Sequence, residues 1–350
     1  MKCLICDQNI ANQTGAHIFP AWMVASAFDP KARTRGHEVI YAMYLLDSKL
    51  PFFGNSVSPD KIKEEIGRDL TDEEARSQEN LITVDNIWCR QCENRLKQVE
   101  DYFLENVDRK IVDFAICNDL YINTLHEANK YLIRLFLYSL ILRASLARFT
   151  GFQLDIRSST RLKSFINEYI KNDFKTTIKY LETAENKDQL LKFPLRCIKM
   201  EQRTNETMGL VFVHNKYNKP YCFLINRYII QFYGKGDRSH FNSDSFFGIS
   251  SIVHEAPDFK NYKEESFRVA QINLKLWEGI KKKVIDVQTK KRMESFILMF
   301  KMMFKSKFGH APSRPLIARF LKVLTDNDLP LGIKYTKEKI VEAMNKTLKG

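Results

Sequence analysis

The 350-residue chain has no internal repeat, no low-complexity tract and no uninterrupted apolar run of ~18 residues. The first two absences argue against a solenoid, and the third against a membrane-spanning helix. The nearest approach to a span, Tyr131 to Phe149, carries Arg134, Arg143 and Arg148, each costly at bilayer depth, and is expected to be a long buried helix. Met1 to Asp7 shows no basic segment leading into an apolar one, so no secretory signal is read and a reducing cytoplasm is expected. Seven cysteines, an odd number in a long chain, argue against a disulfide framework. The Gly-Lys-Gly-Asp at Gly234 lacks the glycine and Lys-Ser/Thr arrangement of a phosphate-binding loop, which leaves P-loop nucleotide hydrolysis without support.

What is present is enough apolar material for a sizeable core, 44% of residues, and an excess of positive charge, 55 Lys and Arg against 42 Asp and Glu. That balance inclines the surface toward polyanions such as nucleic acid. Residues 1–23 form a cysteine/histidine segment. The stretch from about 24 to 80 is irregular and then strongly charged, with a Ser-Pro-Asp helix-start signal at Ser58, and reads as an exposed insertion. Behind Cys92, Leu96, Val99, Phe103 and Val107 recur at helical spacing. Further helices are expected at 124–149 and 158–184. Past Lys192 short β-branched and aromatic runs, 195–200, 209–215, 219–226 and 228–234, predict an antiparallel meander with a hairpin loop at Asn215 to Pro220. From Ser266 the pattern is read as helical again.

Four of the cysteines form two Cys-x-x-Cys pairs, Cys3/Cys6 and Cys89/Cys92, with residues 7–88 between them. Two such turns supply the four thiolates of one closed tetrahedral zinc site, and the charged insertion accounts for the long spacing. A redox reading would need a strand ahead of the pair, for which Cys3 leaves no room. Cys117, Cys197 and Cys222 sit in apolar runs and are expected to be core residues. His17, in Gly-Ala-His-Ile-Phe-Pro, stands in an apolar run that proline stops, as at the end of a short strand.

Cys-x-x-Cys, then Ala-His-Ile-Phe-Pro, then Asp-Asn-Ile-Trp-Cys-x-x-Cys-Glu-Asn leading into a helix resembles the zinc-supported HNH, or ββα-metal, endonuclease family. The resemblance covers about 1–23 and 80–105. It implies His17 as the general base that activates water, Asn86 as the residue that orients the loop or the histidine, and Asn94 or Glu93 as the helical ligand of a catalytic Mg2+ or Mn2+. Cys3, Cys6, Cys89 and Cys92 would hold a structural Zn2+. Those residue types suit phosphodiester hydrolysis, which needs a deprotonated water and a cation against growing phosphate charge. Active family members commonly carry a metal-binding residue where this chain has Ala16, and His or Asn where it has Glu93.

The expected fold class is therefore α+β: a zinc-supported ββα-metal-like module over 1–110 with the insertion at about 24–80, a helical region over 111–190, and an α+β region over 191–350 for specificity or partner binding. The expected function is metal-dependent cleavage of nucleic acid, DNA first, in a setting such as restriction or antiphage defence. The alternative, favoured by Ala16 and Glu93, is a non-catalytic zinc knuckle that binds nucleic acid, a protein partner or a second copy of the chain, with no membrane. Phe300, Phe304 and Phe308 interleaved with Lys301, Lys305 and Lys307 read as a helix with apolar residues inward and lysines outward. The segments 311–324 and 336–348 read as a helical pair. His214, Asp237, His240, Asp244, His254 and Glu255 show no recognised ligand spacing and are read as loop residues.

Overall fold

The computed structural model describes residues 1–25, 39–43, 50–53, 58–66, 69, 82–111, 120–126, 129–201, 210–213, 220–234, 267–325 and 337–349. The chain is mixed α+β and divides into two compact units, one made of Met1–Lys31 and Glu79–Ile280, the other of Ala32–Gln78 and Lys281–Gly350.

In the first unit a two-stranded ladder joins β1 (Ala16–His17) to β4 (Thr83–Val84), antiparallel, with Ala16 opposite Val84 and His17 opposite Thr83. A short helix, α1 (Ala21–Ala25), follows β1, and α3 (Arg90–Phe103) follows β4. One turn of π-helix, Leu104–Asp108, extends α3 and carries Asp108 to the sheet. There the Lys199 ammonium bonds the Asp108 carbonyl at 2.8 Å and its carboxylate at 3.1 Å, and the Tyr228 hydroxyl donates to the same carboxylate.

The core of this unit is α4 (Lys130–Leu146), whose residues from Leu132 to Ser145 are all buried. A helix apolar on every side has to be enclosed, and it packs against α3 and α5 (Ile156–Tyr169). Asn129 caps its start, accepting from the amides of Tyr131 at 2.9 Å and Leu132 at 3.3 Å. Its buried Arg134 donates to the Phe193 carbonyl at 2.7 Å, so the charge is not left unsatisfied. Phe103 of α3 lies 4.4 Å from Phe136, and Trp22 of α1 stacks near both. The buried helix expected over Tyr131–Phe149 runs from Lys130 to Leu146 and gives way to a turn in which Arg148 is exposed at φ 50°. No described helix is long and apolar enough to cross a membrane.

The sheet of this unit runs in the order β7 (Leu210–Val213), β8 (Tyr221–Ile225), β9 (Tyr228–Phe232), β6 (Leu195–Met200), β10 (Phe267–Ile272), β5 (Leu120–Leu125). Only β7, β8 and β9 follow one another as a meander. β6 lies beyond β9 and pairs parallel with β10, so the sheet is mixed. Four further expectations change. Residues 120–125 are a strand, and the helix begins only at Lys130. The expected 158–184 helix breaks at 170–173 into α5 and α6 (Phe174–Thr183), each capped by an aspartate, Asp155 and Asp173. Residues 267–272 form a strand before the helices resume. The expected helical region over 111–190 thus contains strand β5.

The second unit contains the hairpin β2 (Val39–Met43) and β3 (Leu50–Phe53), and α2 (Pro59–Ile66), where the Lys61 amide bonds the Ser58 hydroxyl at 3.3 Å. It also holds most of α7 (Leu274–Phe308), with α8 (Arg314–Thr325) and α9 (Lys337–Lys349). Phe296, Phe300, Phe304, Phe320, Leu324, Ile340, Ala343 and Met344 make its apolar core. Phe300 and Phe320 stack at 4.2 Å with parallel rings. The inward-phenylalanine reading holds for Phe300 and Phe304, while Phe308 is exposed. Gly309, at φ 78°, ends α7 by donating to the Lys305 carbonyl at 2.8 Å, a left-handed cap open to glycine without strain.

Candidate metal centre

Each cysteine pair sits in a turn fixed by backbone bonds. Cys3 accepts at its carbonyl from the Asp7 amide at 2.9 Å, with Asp7 at φ 58°, and donates its own amide to the Asn9 carbonyl at 2.8 Å. Cys89 is the extended residue ahead of α3; its sulfur accepts from the Cys92 amide at 3.4 Å and from the Asn9 amide side chain at 3.6 Å. The two turns are tied directly, since the Leu4 amide donates to the Ile87 carbonyl at 3.0 Å.

This brings four sulfur atoms together. Cys3 and Cys92 lie 3.7 Å apart, Cys6 and Cys89 lie 4.0 Å apart, and all four are within 4.8 Å of one another. Thiolates ~2.3 Å from a tetrahedral ion stand ~3.8 Å apart, so the cluster has the spacing to hold a metal such as zinc. None of the four is in a disulfide. Burial pushes the Cys3 thiol up, against amide hydrogen bonds from Cys6 and Cys89. Burial, then the charge of Cys3, pushes Cys92 up. Burial also opposes ionisation of Cys6, but amides of Asn9 and Gln8 and the neighbouring thiols outweigh it and bring this thiol down to about 7. Four thiols so close cannot all ionise without a cation to offset their charge, so metal binding here would release protons. By contrast Cys197 and Cys222 are buried in β6 and β8, where burial raises both thiols, Cys197 to about 12. Cys117 lies outside the described residues.

The residues singled out around the cluster fall on consecutive elements. His17 is half-buried on β1. The amide of Gly15, two residues ahead of it, donates to the Asp85 carboxylate at 2.6 Å. Asn86, exposed just after β4 at φ 57°, donates its amide to the Gln13 carbonyl at 2.7 Å. Asn94 is exposed on α3. Glu93, one residue earlier, accepts from the indole of the fully buried Trp88 at 2.7 Å. Ala16 is buried, turned away from solvent. Among the described residues no second group of three His, Cys, Asp or Glu side chains converges as the cysteines do. His214, Asp237, His240, Asp244, His254 and Glu255 lie outside the described residues.

Several contacts that hold this region were not visible in its motifs. Arg95 of α3 donates to the carbonyls of Ile170 at 2.8 Å and Ile166 at 2.9 Å, and Asn167 of α5 donates to the Ile5 carbonyl at 2.7 Å. Lys163 pairs with Asp7 at 2.5 Å. Arg143, in the last turn of α4, donates to the His17 carbonyl at 3.1 Å and pairs with Glu100 of α3 at 2.5 Å. The signal that could have pointed to Arg143 is its presence in an apolar helix, since a buried guanidinium requires acceptors. No protein-family model, curated protein or solved structure matches this chain.

Proposed function

We propose that residues 1–23 and 82–108 form a zinc-supported, HNH-like phosphodiester hydrolase acting on nucleic acid, with the rest of the chain selecting substrate or partner. The observation that carries the reading is the order of elements at the cysteine cluster: strand β1 bearing His17, strand β4 leading to Asn86, then helix α3 bearing Asn94, closed by the four thiols. In this reading zinc is structural, because four thiolates leave no position for substrate. His17 takes a proton from water at its unprotonated ring nitrogen, and Asn86 holds the turn that follows β4. Mg2+ or Mn2+, when bound, would neutralise phosphate charge. Asn94 is its candidate helical ligand, since Glu93 is engaged by Trp88. No full donor set for such an ion is present among the described residues. The net charge of +13 favours a polyanionic substrate.

The test is cleavage of plasmid DNA and structured RNA with Mg2+ or Mn2+, beside a His17→Ala variant of verified zinc content. Cutting by wild type alone is expected. If both proteins are inert, or both cut equally, the hydrolase reading fails. The second reading, a non-catalytic zinc knuckle that binds nucleic acid or protein, is favoured by the buried Ala16 and the Glu93–Trp88 bond, which leave little to hold a second metal. It predicts nucleic-acid affinity that falls steeply with salt and no cleavage.

A further inference from the structure

His17 sits on a strand that is too short to fix itself. The β1–β4 ladder pairs two residues on each side, and the residue after it is tied by the Ile18 amide to the Ile82 carbonyl at 2.8 Å. The carbonyl of His17 itself is met by a different part of the fold. Arg143, 1% exposed and in the last turn of the buried helix α4, places Nη1 3.1 Å from that oxygen and Nη2 2.5 Å from Oε1 of Glu100 on α3. The Nη1 contact is a directed hydrogen bond, whereas Nη2 meets Glu100 as a close ion pair without hydrogen-bond geometry, and the planar, rigid guanidinium sets the one contact relative to the other. One nitrogen thus holds the backbone that bears His17, and the other holds the helix that bears Asn94.

We propose that Arg143 is a positioning residue for His17, setting the imidazole relative to α3 from within the buried helix. This deepens the hydrolase reading and rests on it for its catalytic consequence, but the positioning itself is testable without activity. An ion pair that served stability alone would tolerate any replacement that kept the protein folded. A positioning device would not, because displacement of a catalytic group by about 1 Å can cost on the order of 100-fold in rate. Lysine keeps the charge and loses the fork, so Arg143→Lys separates the two roles.

The experiment compares wild type with Arg143→Lys in the full chain, with zinc content and thermal unfolding recorded for each. Its spectroscopic readout is the His17 ring resonance in histidine-labelled protein, assigned from the His17→Asn spectrum. The expected result is a folded, zinc-replete variant with a displaced His17 resonance, and cleavage with kcat down by about tenfold or more and KM within about twofold. A folded variant whose His17 resonance is unmoved, or whose kcat is unchanged, overturns the proposal. If wild type does not cleave, the hydrolase reading fails and the resonance alone decides the positioning. Should Arg143→Lys not fold, Glu100→Gln keeps an acceptor oxygen while removing the charge, and the His17 resonance is followed in it instead: a shift supports the positioning role, and an unmoved resonance overturns it.

Discussion

The cysteine region and the C-terminal helices are ordered by different physics. Around the thiols, apart from α3, the regular elements are minimal: two-residue strands, a five-residue helix, and turns tied loop to loop by backbone bonds. In the helices from Phe296 to Met344 the order comes from apolar side chains repeating at helical spacing around a phenylalanine core. The first region depends on specific pins, four sulfurs and a few buried polar groups; the second depends on area removed from water. Two regions of one chain should therefore fail under different insults.

The largest expected effect is on the first. Chelation, or Cys3→Ser, removes a site whose binding free energy is typically ~10 kcal/mol or more, so the region around Trp88 should lose its fixed packing, read as near-ultraviolet dichroism and tryptophan fluorescence. Acid should act the same way. A bound metal would hold its ligands as thiolates, and protons would compete with it for them, so this stability would be present at neutral pH and lost as pH falls. Helical content from 293–325 should survive; its simultaneous loss would erase the distinction between the regions. Next comes Phe300→Ala, which empties the centre of the second core and should cost about 3–5 kcal/mol, with zinc content unchanged. A fall in bound zinc in that variant would show that the two regions are not independent. The smallest is Asn129→Ala, which removes the cap of α4 and should cost about 1 kcal/mol by denaturant unfolding. It sharpens the contrast by testing an ordinary helix start within the same unit as the thiols.

The sequence makes the same division visible. The cysteine quartet was legible because Cys-x-x-Cys is a local geometric unit, and the 293–308 helix because its phenylalanines repeat every four residues. The strands at 120–125 and 267–272 were not, although each is a neighbour of the other. Their pairing, Phe267 opposite Leu125, is set by a ladder between distant segments, and a local pattern carries no trace of it. For the same reason the position of β6 beside β9 and β10 was hidden, and the four runs read as a simple meander. Arg143 shows the limit at the candidate site: its type excluded a membrane, but only the fold reveals that it reaches His17.

The thiol cluster joins positions that stand 83 residues apart, Cys6 and Cys89. Between them the chain leaves the first unit after Lys31 and re-enters it at Glu79. Closing a loop costs free energy only as the logarithm of its length, about 0.6 kcal/mol per doubling. An ion clasping both ends would therefore let the intervening stretch lengthen at little further cost in closure entropy. The cluster would in that sense act as a clasp, keeping the scaffold around His17 shut whatever the length of the excursion between its two halves.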